Sequence, residues 1–139
     1  VSIKPVCEIY GENPLNEKNI SIDHFLPWSY VAHDELWNLT PTTRSINSSK
    51  SNSLPEWNMY FPLLCKMEYL SYELMWEYPE VHKAFDKCAK EHLNNLEIRH
   101  KLYQKGLSET EFSGRLEEVM FPVYQSAKSM GFSSWSLRT

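Results

Sequence analysis

Ile20-Ser21-Ile22-Asp23-His24-Phe25-Leu26-Pro27 is the stretch on which the reading of this chain turns. It alternates apolar and polar at first, as a half-buried strand does, and Pro27 ends it because proline has no N–H to give a ladder. Trp28 to Glu35 has loop chemistry, and Trp37 to Thr43 is a second β-type run in which Pro41 marks an edge or an early end. The two runs predict a loop-linked hairpin. Arg44 to Lys50 follows as a short polar helix or turn, with Ile46 as its one apolar anchor.

Near residue 54 the chain changes character, from Asn, Ser, Thr and Pro to successive amphipathic helices. From Pro62 to Tyr78, Leu63, Met67, Leu70 and Leu74 fall at offsets of four, three and four, which puts them on one helical face. Pro79, at a first-turn position, opens a second and longest helix with Val81, Phe85, Cys88, His92 and Leu96 on one face, expected to stop at Lys105-Gly106. Its lysines and arginines slightly outnumber its acids, which reads as a solvated face. Ser108-x-x-Glu111 is a capping-box pattern that starts a third helix through Phe112, Leu116, Val119 and Met120, and Pro122 is expected to kink or break it. The Ser-rich tail after Gly131 is expected to fray. The aromatic run Trp57, Tyr60, Phe61, Tyr69, Tyr72, Trp76 and Tyr78 reads as core rather than as a platform for unpaired bases.

Composition bounds the function classes. The 139 residues, 42% of them hydrophobic and 14% aromatic, exclude an intrinsically disordered chain and suit one domain with a helical annex. No apolar run approaches the roughly 20 residues of a membrane span, and Val1 to Cys7 lack the layout of a signal peptide, so the expectation is a soluble, cytoplasmic protein with no membrane partner. A chain opening on Val1 reads as a piece of a longer polypeptide, with room for a further N-terminal recognition domain. Cys7, Cys65 and Cys88 form no Cys-x-x-Cys pair, which argues against a disulfide framework and against structural zinc. A net charge of −4 excludes a surface that is one continuous polyanion footprint. Sequons at Asn19, Asn38 and Asn47 are taken as coincidence.

The chemistry gathers around Asp23 and His24. Strand neighbours point to opposite faces, so the two diverge unless the strand ends there, which Pro27 makes plausible. If Asn47 on the following helix returns to the Asp23 side, a carboxylate oxygen and an amide oxygen converge into a hard-oxygen pair suited to Mg²⁺, with water and phosphate completing the shell. An imidazole beside them, with its ordinary proton affinity near neutrality, can take a proton from water attacking a phosphodiester.

The order Asp23-His24, Asn38-Leu39, Asn47 and Lys50 resembles the HNH nuclease family over roughly residues 7 to 54, and its spacing is similar to the HNH module of RNA-guided CRISPR effectors. The resemblance implies an α+β protein: a ββα-metal motif over 1–54 with a helical extension of about three helices over 55–139. It also implies metal-dependent hydrolysis of DNA, with His24 as general base and Asp23 and Asn47 as ligands of one divalent ion, Mg²⁺ or alternatively Mn²⁺. Asn38 matches the asparagine that braces the loop between the strands, and Lys50 a family lysine that contacts the DNA backbone or supports the site. Arg44, on the helix that carries Asn47, could clamp a phosphate or be an ordinary surface arginine. Where many relatives carry two Cys-x-x-Cys pairs, this chain reads Cys7-Glu8-Ile9-Tyr10 and Thr43-Arg44-Ser45-Ile46, so it resembles a zinc-free member. Packing against the aromatic annex must then replace the zinc cross-link, with Trp28, Trp37 and Trp57 expected at the junction. The alternatives are a non-cleaving nucleic-acid-binding or structural module that keeps the fold, and an RNA-directed nuclease. A homodimer is a further possibility, since a double-strand cutter with one site usually needs two copies.

Overall fold

A computed structural model describes residues 7–27, 31, 35–89 and 95–137. Trp28, His33 and His92 lie outside the described residues, as does the side chain of Cys88.

Strand β1 (Ile20–His24) pairs antiparallel with β2 (Leu39–Thr43), with Asp23 opposite Thr40 and His24 opposite Leu39. Pro41, opposite Ile22, is tolerated because a two-stranded sheet has open edges on both sides. A short 3₁₀ turn, Leu36–Asn38, leads into β2. Helix α1 (Arg44–Lys50) starts where the Thr43 side chain accepts the Ile46 N–H at 3.2 Å, and it seats Ile46 in the core. This β-β-α unit, followed by four helices, makes an α+β fold, the class expected from the sequence.

The extension holds α2 (Trp57–Glu77), α3 (Pro79–Ala89), α4 (Asn95–Leu102) and α5 (Glu109–Ser129). Three expectations need correcting. The first concerns α2, whose core side carries Tyr60, Phe61, Leu64, Cys65, Tyr72 and Met75, while Leu70 and Leu74 of the regular stripe are exposed. The second is the single long helix expected between Pro79 and Gly106. Arg99 pairs with Asp86, and the rings of Phe85 and Tyr103 lie 4.5 Å apart, contacts that a straight helix, rising about 1.5 Å per residue, cannot make between residues so distant in sequence. Third, Pro122 is absorbed inside α5 rather than ending it. The start of α5 follows expectation: Ser108 Oγ accepts the Glu111 N–H at 3.1 Å and Glu111 Oε1 accepts the Ser108 N–H at 3.0 Å.

Nor does the tail simply fray. Strands β3 (Leu54–Pro55) and β4 (Ser134–Trp135) pair in parallel, with the Leu54 N–H on Ser133 O at 2.7 Å and the Glu56 N–H on Trp135 O at 2.9 Å.

One core runs through both parts. Trp57 stacks on Phe61 with ring centroids 4.0 Å apart, touches Phe25 from the β1 side, and packs on Phe121 and Tyr124 of α5. Trp37 is buried as well, its Nε1 donating to Glu35 at 3.2 Å. This aromatic weld ties the hairpin unit to the helical extension. Between α2, α3 and the start of β2 lies a cleft of about 280 Å³ lined by Leu39, Tyr72, Met75, Phe85 and Tyr103, with the buried carboxyl of Glu68 on its wall. Desolvation raises the Glu68 pKa well above the usual carboxyl range.

Candidate active site

The site is built on the last two residues of β1 and the face of α1 that packs on it. Asp23 is turned inward and is 2% exposed. Lys50, the last residue of α1, is fully buried and lays its Nζ 3.2 Å from Asp23 Oδ1 and 2.8 Å from the carbonyl oxygen of His24. The Tyr10 hydroxyl donates to Asp23 Oδ2. Burial pushes the Asp23 carboxyl up, against the lowering pull of Lys50 and Tyr10, and pushes the Lys50 ammonium down, against the raising pull of Asp23.

Asn47 comes to the same side of the strand: its Nδ2 donates to Ser21 Oγ at 2.9 Å and to the Ile22 carbonyl at 3.3 Å. With both amide hydrogens spent on β1, the carbonyl oxygen is the part of the side chain left for other work. Thus Asp23 and Asn47 share one face of β1, while half-buried His24 follows the alternation to the other.

The backbone that carries His24 is clamped. Lys50 holds its carbonyl, and the next two residues are fixed by Asn38, which is fully buried. The Phe25 N–H donates to Asn38 O at 2.8 Å, the Leu26 N–H to Asn38 Oδ1 at 2.7 Å, and Asn38 Nδ2 returns a bond to Leu26 O at 2.9 Å. A side-chain amide that pairs with a peptide group in both directions acts as a short extra rung of sheet where the strand has ended. Full burial of Asn38 also disposes of its sequon.

Lys50 is the one proposed substrate contact that the geometry corrects. An ammonium with no exposed surface, paired to a carboxylate, supports the site and does not meet a phosphate. Arg44 is exposed at the start of α1, on an open hollow that also presents Lys18 and Asn19. Tyr10 was missed by the sequence reading. So was Glu8, 1% exposed, whose carboxylate accepts the N–H of Gly11 at 2.6 Å and that of Asn13 and so shapes the turn that delivers Tyr10. No spacing rule marks either residue.

Among the described residues no group of three or more His, Cys, Asp and Glu side chains gathers as a metal cage. Asp23 and Asn47 lie on one side of β1, and a carboxylate with an amide oxygen is donor chemistry suited to a hard cation such as Mg²⁺, although both Asp23 oxygens are engaged by Lys50 and Tyr10.

A β-hairpin crossed by a helix, with an Asp-His pair at the strand end and an asparagine of the helix bonded to the same strand, is the ββα arrangement the sequence predicts. Residues 8–56, about a third of the chain, match the family described as HNH endonuclease, and HNH nucleases act on nucleic acids. Comparison with curated proteins and with solved structures gave no significant match. No described helix is long and apolar enough to cross a membrane.

Proposed function

We propose that the chain is a metal-dependent endonuclease that hydrolyses DNA phosphodiester bonds. The observation that carries this reading is that one short helix lays Asn47 on Ser21 and Ile22 and Lys50 on Asp23, at the strand end where the His24 backbone is held by Lys50 and the next residues by Asn38. Asp23 and Asn47 would hold the ion, which when bound supplies a Lewis acid for the charge on the leaving oxygen. His24 takes the proton from the attacking water, and its fixed backbone sets where the imbalance of charge develops. Lys50 fixes Asp23 in place, and its positive charge favours the ionised carboxylate against the opposing effect of burial. Arg44 steers the phosphate backbone from the mouth of α1.

The experiment is cleavage of supercoiled plasmid in Mg²⁺ or Mn²⁺, beside EDTA, beside His24→Ala, and beside a single-stranded RNA of matched length. Metal-dependent nicking that falls at least about a thousandfold in His24→Ala is expected, at the upper part of the range for a general base. A folded protein that binds DNA and never cuts it would leave a binding module, and cleavage of RNA alone would reassign the substrate.

A further inference from the structure

The cleft between α2 and α3 is made by helix periodicity. Glu68, Tyr72 and Met75 stand at offsets of four and three on one face of α2, and Val81 and Phe85 at an offset of four on α3, with Leu39 of β2 and Tyr103, just after α4, completing the wall. Ser71 and Ala84 also line it and are exposed, so the cleft opens to solvent beside them. Its volume of about 280 Å³ is the share of about nine water molecules in the liquid, room for a compact ligand of about that many heavy atoms.

Glu68 is the one carboxyl on this wall among the described residues, and it is 6% exposed. No hydrogen-bond or ion-pair partner of either of its oxygens lies among the described residues, and burial raises its pKa with no neighbouring cation to offset the effect. Tyr72 does not serve it, because the Tyr72 hydroxyl donates to Gln104 O and accepts the Leu107 N–H at 2.9 Å. Arg99 does not either: it lies over the Phe85 ring, 5.4 Å from the centroid, and is paired to Asp86. Folded proteins rarely leave a buried polar group unpaired, and one that lines an open apolar cleft is placed to meet a ligand's polar atom.

The charge of that ligand follows from what the wall lacks. A carboxylate would bring a like charge to Glu68, and a neutral alcohol would bond to the carboxyl without supplying the counter-charge that its ionised form needs. An ammonium supplies the counter-charge, donates up to three hydrogen bonds, and enters among the rings of Tyr72, Phe85 and Tyr103, a lining of the kind that attracts cations. We infer that the cleft binds a small organic amine, its ammonium head paired to Glu68 and its apolar body between Met75 and Phe85. The inference does not depend on the nuclease reading, because its test reads ligand binding and not cleavage.

The test follows the Met75 methyl signal by NMR as four compounds of one shape are added to this chain: phenethylamine, phenethyl alcohol, propylbenzene and phenylpropionate. Phenethylamine is expected to shift the signal saturably with a Kd of about 1 mM or below, at least about tenfold tighter than the alcohol or the hydrocarbon, and phenylpropionate to leave it unmoved. Glu68→Gln should weaken the amine at least about tenfold and leave the alcohol within about twofold of the parent. Nα-acetyl-lysine amide carries the same head on a thinner stem and should bind about tenfold more weakly than phenethylamine, because it fills less of the cleft. Equal or tighter binding of the lysine compound would give the head to a protein lysine and end the small-molecule assignment. No saturable shift with the amine, equal affinity for amine and alcohol, preference for phenylpropionate, or a Glu68→Gln protein that binds the amine as the parent does would each overturn the inference.

Discussion

At the residue scale the buried Asp23–Lys50 pair controls the site. Desolvating two charges costs several kcal/mol, which the pair offsets only because the Lys50 ammonium also meets the His24 carbonyl and the second Asp23 oxygen takes the Tyr10 hydroxyl. Lys50→Met is therefore expected to cost about 3 kcal/mol, because it strands a carboxylate. Asp23→Asn on top of it should return part of the loss. Urea unfolding of the two variants decides it, and a Lys50→Met protein as stable as the parent would mean that the ammonium does not hold Asp23 in solution. The stretch Asp23 to Lys50 is legible in the sequence because its residues sit within one hairpin and one helical turn, where strand alternation and helix geometry fix who can meet whom. Tyr10 is illegible for the opposite reason. It reaches Asp23 because the Glu8 carboxylate bends the chain by taking the N–H groups of Gly11 and Asn13, a turn that no period announces.

At the element scale, α2 shows what a periodic pattern leaves undecided. Offsets of four, three and four identify a face but not which of two apolar faces turns inward, and here the aromatic one does because it must meet Phe25, Phe112 and Tyr124. The helix also carries a misfit. Glu68 lies on the inward side, 6% exposed, with its pKa raised well above the usual carboxyl range by burial. A carboxyl raised in the folded state binds more protons folded than unfolded, so stability falls as the pH rises from the ordinary carboxyl pKa toward the folded one, by up to about 1.4 kcal/mol per pH unit. Glu68→Gln is expected to be the more stable protein at pH 8 and to have lost that slope, while matching the parent near pH 4. Denaturation midpoints across that range test it, and parallel profiles for the two proteins would contradict it. The α3–α4 region could not be divided from sequence because its apolar period continues without a Gly or Pro. The reversal is imposed by tertiary contacts such as Arg99 with Asp86.

At the scale of the whole molecule Tyr10 and the segment 134–137, far apart in sequence, come together beside the site. Trp135 packs edge-on against Tyr10 with centroids 5.2 Å apart and lies 5.8 Å from the ring of Tyr60, whose hydroxyl accepts the Leu137 N–H at 2.7 Å. Trp135→Ala is expected to cost about 2 kcal/mol, below the usual figure for a fully buried tryptophan because the ring is partly open. It should also lower plasmid cleavage by loosening Tyr10 against Asp23. A cleavage rate unchanged at a temperature where the variant is fully folded would separate the tail from the site. A two-residue strand of Ser and Trp carries no period to read, and its partner lies some eighty residues away, so no local signal announces it.

The parallel pairing of β3 with β4 also constrains how the protein comes into being. Synthesis runs from Cys7 toward Trp135, so Asp23, His24 and Asn47 leave the ribosome long before the strand that pairs with Leu54–Pro55 does. A truncated product of translation would then hold every group of the site without the clasp that steadies Tyr10. Support of Tyr10 against Asp23 in this way waits on synthesis past Trp135.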